Sequence, residues 1–270
     1  MNIDTLSIGC IGCGNMGSAI LFGLSKNKSL NIIGYDPNIT SLAPLQSARI
    51  ETAQDIEHLI INCNIIIIAV KPHLVQTILT DIAPLLTSDK IIISVAAGVS
   101  IHKLQSSVQN KCAVVRCMPN TPATVGAGVF AFCFDDSRIS SKNKEQILAL
   151  FAPIGMCLEL AEKNFIAFSA FMGAGPAYVF HLMNALVQSG VTLGFSREES
   201  RQMVEKLFDG VVRMAKSSSQ SLAVLRDNVC SPAGLTITGI NHLERTAVSG
   251  HIIDAVIKAE QRSKEMEQNQ

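Results

Sequence analysis

Tryptophan is absent, tyrosine occurs twice, and only 16% of the 270 residues are charged. Lysine and arginine together number 22, as do aspartate and glutamate, so the formal charge is zero. No basic stripe with interleaved aromatics appears, which argues against nucleic acid and against an anionic membrane surface as partners. The longest uninterrupted aliphatic run, residues 65–70, falls far short of the roughly twenty residues that cross a bilayer. No basic segment precedes the first apolar run, and that run is needed as a strand. The reading is of no signal peptide, no membrane segment and a cytoplasmic location. Metal-ligand spacing is scarce as well. The eight cysteines lie mostly inside apolar runs, and Cys10-x-x-Cys13 has no partner pair downstream. Small buried residues in a reducing compartment account for them, and no metal is expected.

What the chain does have is apolar content, 48% of all residues. That is enough for one large or two medium cores. The stretch that organises it comes first. An apolar run of strand character ends in Ile11-Gly12-Cys13-Gly14-Asn15-Met16-Gly17, and a helical pattern follows from Ser18 to Leu24. Strand, glycine turn and helix in that order form the first half of a dinucleotide-binding unit. The glycines let the turn close, the backbone approach a pyrophosphate and the helix pack on the strand. Free N–H groups and the positive end of the helix dipole then face the phosphates.

Nineteen residues beyond Gly17 stands Asp36, at the end of a second strand-like run. A carboxylate there accepts hydrogen bonds from an adenosine ribose and repels a 2′-phosphate. Asp-Pro-Asn is also good turn chemistry, so a turn or capping aspartate is the competing reading. The cofactor expected is NAD(H) or NADP(H). No Arg or Lys follows Asp36 until Arg49, which leans the choice towards NAD(H).

Short helices are expected at 40–48 and 53–62, then a strand at 64–70 that is apolar on both faces, as a central parallel strand should be. It ends in Lys71-Pro72-His73, which places a loop at the ligand edge of the sheet. A helix at 73–86 and a strand at 91–95 lead to the small-residue turn Ala96-Ala97-Gly98, suited to a flat ligand or simply to tight packing. A helix at 100–107, strands at 113–117, 128–134 and 156–160, and a helix near 139–151 complete a doubly wound α/β pattern. The loop Met118-Pro119-Asn120-Thr121-Pro122-Ala123 is stiffened by two prolines.

From Glu162 onward the strand signal ends. The expectation is a Rossmann-type dinucleotide domain over 1–161 and an all-helical substrate-binding and dimerisation domain over 162–270. Helices are read at 163–171, from Pro176 to Val187, at 197–216 behind a Ser196/Glu199 capping box, and at 247–268. The apolar content of this half exceeds what a bundle of its size covers alone, which points to pairing with a second copy. Ser231 and Pro232 read as the N-cap and first residue of a further helix. With Thr236 close behind, that helix start could hold a carboxylate or be a plain cap.

The ordered set G-C-G-N-M-G, A-V-K-P, A-A-G-V, R-C-M-P-N-T-P, G-A-G-P-A-Y and D-N-V-C-S-P-A-G-L-T-I resembles the pyrroline-5-carboxylate reductases along nearly the whole chain. The resemblance implies NAD(P)H-dependent reduction of 1-pyrroline-5-carboxylate to L-proline, with hydride passing to the cyclic imine. It implies a homodimer through the helical domain, assembled further into a ring of dimers, a decamer. It places cofactor contacts on Ile11, Gly12, Cys13, Gly14, Asn15, Met16, Gly17, Ala69, Val70, Lys71, Ala96, Ala97 and Asn228. Substrate contacts fall on Glu162, Gly234, Leu235 and Thr236, with the Thr236 hydroxyl serving the imine nitrogen. Ile56 stands where the family commonly has a polar Asn ahead of the A-V-K-P strand, and the other departures lie on the substrate side. Met172 and Ala174 stand where the family usually has serines, Ala233 where it has glycine, and Leu235 where it has a small residue.

Two other classes compete. A β-hydroxyacid or other imine oxidoreductase shares the glycine loop. A hydroxyacid dehydrogenase, however, would want a catalytic lysine early in the second domain, and the only one there before Lys206 is Lys163, which lies ahead of the Gly-Ala-Gly-Pro turn. A cofactor-binding regulator without turnover would fit the missing hydroxyls, against which stands the retained Thr236.

Overall fold

The computed structural model describes residues 6–268, which divide into two compact units. The first comprises residues up to Ala174 together with the last turns of the chain from Glu260; the second is Gly175–Ala259.

The first unit is built on an eight-stranded sheet in the order β3-β2-β1-β4-β5-β6-β7-β8. The strands are β1 (Ser7–Ile11), β2 (Asn31–Tyr35), β3 (Glu51–Thr52), β4 (Ile65–Ile68), β5 (Ile91–Ser94), β6 (Ala113–Met118), β7 (Gly128–Cys133) and β8 (Gly155–Glu159). Its helices are α1 (Asn15–Leu24), α2 (Ile39–Ser47), α3 (Ile56–Asn62), α4 (Pro72–Ile82), α5 (Ile101–Ser107), α6 (Ser141–Phe151) and the short α7 (Phe165–Phe168).

Alternation along the strands divides the core in two. Ile8, Ile65, Ile67, Ile91, Ile93 and Val115 pack on one face with α1 and α6 residues such as Ile20, Leu21 and Ile147. Ile66, Ile68, Ile92 and Val114 pack on the other with Leu59, Val75, Leu79 and Leu104. Runs such as Ile65-Ile66-Ile67-Ile68 are thus buried on both sides because helices cover both sides. Chain order reverses between β1 and β4, which pair in parallel on β1's second edge while β2 takes the first. This is the switch point at which open α/β sheets hold ligands beyond their strand C-termini. One pairing departs from the parallel pattern: β7 runs antiparallel to β6. The link between them is residues 119–127, shorter than the dozen or so residues a parallel crossover needs.

The second unit is helical throughout: α8 (Gly175–Thr192), α9 (Arg197–Lys216), α10 (Leu222–Asn228), α11 (Leu235–Arg245) and most of α12 (Val248–Gln268). The expected capping box at α9 forms. Ser196 Oγ accepts the Glu199 N–H at 3.2 Å, and the Glu199 carboxylate accepts the Ser196 N–H at 2.9 Å. Two local expectations are corrected. The Gly173-Ala174-Gly175-Pro176 stretch does not break the helical path. A π-helical turn, Ser169–Gly173, carries it from α7 into α8, and the Ala174 N–H reaches back to the Ser169 carbonyl at 3.0 Å. Pro176 falls in the first turn of α8, where its missing N–H costs least. The second correction concerns α11, which begins at Leu235 with Gly234 as N-cap rather than at Ser231-Pro232.

Candidate functional site

The glycine turn is held by what glycine alone permits. Gly12 has φ +95°, and a Cβ there would lie 2.7 Å from the Ala69 carbonyl oxygen. A Cβ on Gly17 would stand 1.9 Å from the Gly12 carbonyl oxygen, so α1 packs directly onto the turn. At Gly14 a Cβ would meet nothing within 4 Å. That open space faces the start of α1, where Gly14 is the N-cap and offers no side chain to it. The Ser18 hydroxyl donates to the Cys13 carbonyl at 2.7 Å and locks the turn from behind. The sequence reading missed this contact, although a hydroxyl one residue after the glycine motif is a readable signal. Open space at a helix start with free N–H groups suits a pyrophosphate.

Asp36 follows β2 beside this turn. Its Oδ2 accepts the Cys13 N–H at 2.8 Å, and its Oδ1 accepts the Asn38 N–H at 2.8 Å. The carboxylate therefore closes its own turn, as the competing sequence reading had it, and also pins the glycine loop, a contact the sequence did not suggest. Cys10 and Cys13 are buried. Burial, with Asp36 adding to it, pushes the Cys13 thiol up to about 12, so neither a thiolate ligand nor a nucleophile is at hand. Among the described residues, no group of three His, Cys, Asp or Glu is placed to hold a metal.

The other expected cofactor residues of the first unit meet at the same edge. The Ala69 N–H bonds the Ile11 carbonyl at 2.8 Å, which carries β4 past β1 and sets Ala69 and Val70 against Gly12. Lys71 is exposed and precedes Pro72, the first residue of α4. The Val95 N–H bonds the Ile68 carbonyl at 3.0 Å, and the turn beyond it holds Ala96 buried and Ala97 exposed. Ile11, Gly12, Cys13, Gly14, Asn15, Met16, Gly17, Asp36, Ala69, Val70, Lys71, Ala96 and Ala97 thus share the C-terminal edges of β1, β2, β4 and β5. The donor set fits a dinucleotide.

The 118–123 loop is fixed by Asn120, whose side chain accepts the Val129 N–H at 2.8 Å and donates to the Met172 carbonyl at 3.3 Å. Glu162 is half-buried and engaged. Its Oε1 accepts the Ile101 N–H at 2.6 Å and lies 3.1 Å from Nη1 of Arg116. Arg116 itself was not singled out from the sequence, though an arginine inside the apolar run 113–117 is an anomaly that could have been.

Thr236, Leu235, Gly234 and Asn228 belong to the second unit. Gly234 caps α11 without a side chain, and a Cβ there would stand 2.2 Å from Ser231 Oγ. Its N–H closes a turn onto the Ser231 carbonyl at 3.0 Å. Leu235 is 94% exposed, and Thr236 is exposed beside it. Ala233, just before, holds φ +55°, a left-handed conformation that costs a residue with a Cβ roughly 1–2 kcal/mol. The Asn228 amide donates to Gln220 Oε1 at 3.1 Å.

This unit also exposes many large apolar side chains, among them Phe180, Leu207, Val211 and Met214. The helical path Glu162–Thr192 is long and apolar enough to cross a membrane by length and composition alone, and little of its most apolar stretch is buried.

Residues 162–266 match the family model for pyrroline-5-carboxylate reductase dimerisation, and residues 7–98 match that for coenzyme F420-dependent NADP oxidoreductases. The exposed apolar helices therefore lie in a dimerisation region. The chain is 32% identical to the pyrroline-5-carboxylate reductase of Pisum sativum over 97% of each chain. A solved structure of the Plasmodium falciparum pyrroline carboxylate reductase with NADP bound is 33% identical, covers 98% of this chain and 100% of that one, and superposes with a TM-score of 0.87. The Coxiella burnetii pyrroline-5-carboxylate reductase is 29% identical with a TM-score of 0.89, over 97% of this chain and 98% of that one. With a glycine cradle at the switch point and full-length likeness on this scale, the chain belongs to the pyrroline-5-carboxylate reductase family.

Proposed function

We infer that the protein reduces 1-pyrroline-5-carboxylate to L-proline with NAD(P)H. The observation that carries this is that one chain holds both a dinucleotide cradle at β1/β4 and, at α11, a helix start without a side-chain cap beside the Thr236 hydroxyl. This reading assigns 1–161 to the cofactor and 162–270 to substrate and dimerisation, whereas the compact units divide at Ala174 and return the turns from Glu260 to the first unit.

When bound, a reduced nicotinamide would supply the hydride that the cyclic imine takes up. The rest is the work of the chain's own residues. The α1 N-terminus and the turn at Gly14 would hold the pyrophosphate, and Ala69, Val70, Ala96 and Ala97 would give the close, flat walls that small side chains allow. An imine accepts hydride readily only when its nitrogen is protonated or hydrogen-bonded. The Thr236 hydroxyl serves that nitrogen. First-turn N–H groups of α11, from Leu235 onward, hold the substrate carboxylate, aided by the positive end of the helix. Catalysis is then chiefly positioning of two reactants, with the hydride chemistry residing in the cofactor.

Asp36 supports a preference for NADH, because its carboxylate would face a 2′-phosphate with like charge. The exposed apolar side chains of α8 and α9 support a homodimer, which we extend to a decameric ring. The balanced surface charge supports a cytoplasmic enzyme that engages neither membrane nor nucleic acid. The test is oxidation of NADH and NADPH in the presence of pyrroline-5-carboxylate, wild type beside Thr236→Ala. No turnover by the wild type with either cofactor sinks the activity. Undiminished turnover in Thr236→Ala removes the role of that hydroxyl and leaves the reaction standing.

A further inference from the structure

Arg116 lies on β6 and is 4% exposed, amid the apolar residues of the sheet. A guanidinium cannot shed its charge in such a place and has to be met by acceptors. Two carboxylates meet it. Its Nη1 lies 3.1 Å from Glu162 Oε1, and its Nη2 lies 3.1 Å from Glu267 Oε1. Its guanidinium carbon sits 4.7 Å from the centroid of the Phe165 ring, which stacks against it. The arrangement continues beyond the ion pairs, because Glu162 Oε1 also accepts the Ile101 N–H at 2.6 Å. Ile101 is the first residue of α5, and the Ser100 cap serves a different donor, the Lys103 N–H. A carboxylate at a helix start answers both the orphan N–H and the dipole.

The start of α5 is also the end of the 96–100 turn, which carries Ala96 and Ala97. The turn is anchored at its other end by the Val95 N–H on the Ile68 carbonyl. Its far end runs into α5, whose start is held by the Ser100 cap and by the Glu162 carboxylate on the Ile101 N–H. Buried ion pairs seldom stabilise more than apolar residues of the same volume, so stability alone is a weak reason for three charges here. What they supply is a fixed position.

We propose that Arg116 is a positioning residue for the dinucleotide: it holds Glu162 on the α5 N-terminus and so sets the Ala96–Ala97 wall, and Glu267, from the last turns of the chain, holds Arg116 in place. The C-terminal turns are thereby part of the cofactor site's support. The inference rests on the dinucleotide reading above.

The experiment titrates NADH and NADPH against the full-length enzyme by nicotinamide fluorescence, without imine substrate, for wild type, Glu267→Gln, Arg116→Lys and the double variant. Lysine keeps the charge but, as a point donor, cannot fork to both carboxylates. The expected result is a dinucleotide Kd raised about three- to thirty-fold in each single variant. The double variant should be no weaker than Arg116→Lys within about a factor of two, since both act through one guanidinium. An unchanged Kd in Glu267→Gln, or in a folded Arg116→Lys with a lowered melting temperature, overturns the proposal and leaves a structural ion pair. A raised KM for the imine alone overturns it too. If Arg116→Lys does not fold, Glu267→Gln decides. Failure of the wild type to bind either dinucleotide would overturn the cofactor reading and this inference with it, whereas tight binding by wild type and variants alike overturns the inference only.

Discussion

The Asp36 carboxylate accepts the backbone N–H of Cys13 at 2.8 Å, across 23 residues of sequence. An acid that reads as a ribose contact is thus also the peg on which the glycine loop hangs. The two roles separate by substitution. Asp36→Asn keeps an acceptor oxygen for Cys13 but removes the charge facing a 2′-phosphate. It should shift the ratio of kcat/KM for NADPH over NADH upward by about ten-fold, or roughly 1.4 kcal/mol. Asp36→Ala loses the peg as well and should weaken both cofactors. Steady-state kinetics with each dinucleotide measures both, and an unchanged ratio in Asp36→Asn would show that the carboxylate does not choose the cofactor.

Ala233 sits at φ +55° where reductases of this family usually carry glycine. Glycine has no Cβ to strain there, although it brings a more disordered unfolded chain. Ala233→Gly should therefore gain a net stability of about 0.5–1 kcal/mol, a rise in melting temperature of roughly 1–3 °C. It should also lower the KM for the imine substrate, because the turn that presents Leu235 and Thr236 relaxes. Calorimetry and substrate titration are the checks, and a lowered melting temperature would show that the turn is not strained.

Asp136 is buried at 2% exposure and accepts the Val114 N–H at 2.9 Å while Arg138 forks onto both its oxygens. Burial works to raise this carboxyl, but the hydrogen bonds from Arg138 and Val114 outweigh it and hold it below the usual carboxylate range. On acidification the unfolded chain takes up this proton first. The group's contribution is therefore present above about pH 4, the unfolded value, and is lost as pH falls through the lower folded value. Asp136→Asn should cost about 2–4 kcal/mol at neutral pH and flatten the acid limb of the stability curve. Urea unfolding from pH 7 to pH 3 tests this; parallel curves for the two proteins would remove Asp136 from the acid response.

Much of the dinucleotide unit was legible because its signals are local and periodic. Gly12, Gly14 and Gly17 sit in a strand–turn–helix context, and Ile65-Ile66-Ile67-Ile68 reads as a strand covered on both faces. What escaped was tertiary or depended on one dihedral angle. Ser231-Pro232 is sound capping chemistry, but the left-handed Ala233 interrupts the run and moves the start of α11 to Leu235. Gly173-Ala174-Gly175-Pro176 looks like a breaker, and a π-helical turn absorbs it. The direction of β7 follows from the length of the 119–127 link, too short for a parallel crossover. The partners of Arg116 lie 46 and 151 residues away, beyond any pattern in the sequence.

Met203, Leu207, Val211 and Met214 lie exposed along α9 at helical spacing. The polar side of the same helix carries the Arg201 pairs with Glu198 and Glu205 and the Asp209 pairs with Lys206 and Arg213. Such an amphipathic helix in a dimerisation region presents its apolar side to another subunit. A glutamate in that seam would be desolvated without a partner, at a cost of several kcal/mol per subunit. Leu207→Glu should therefore shift the protein towards monomer in light scattering across a dilution series and reduce turnover in proportion. Lys206→Glu, one residue away on the polar side, should leave assembly intact. Assembly unchanged in Leu207→Glu would place the subunit contact on another helix.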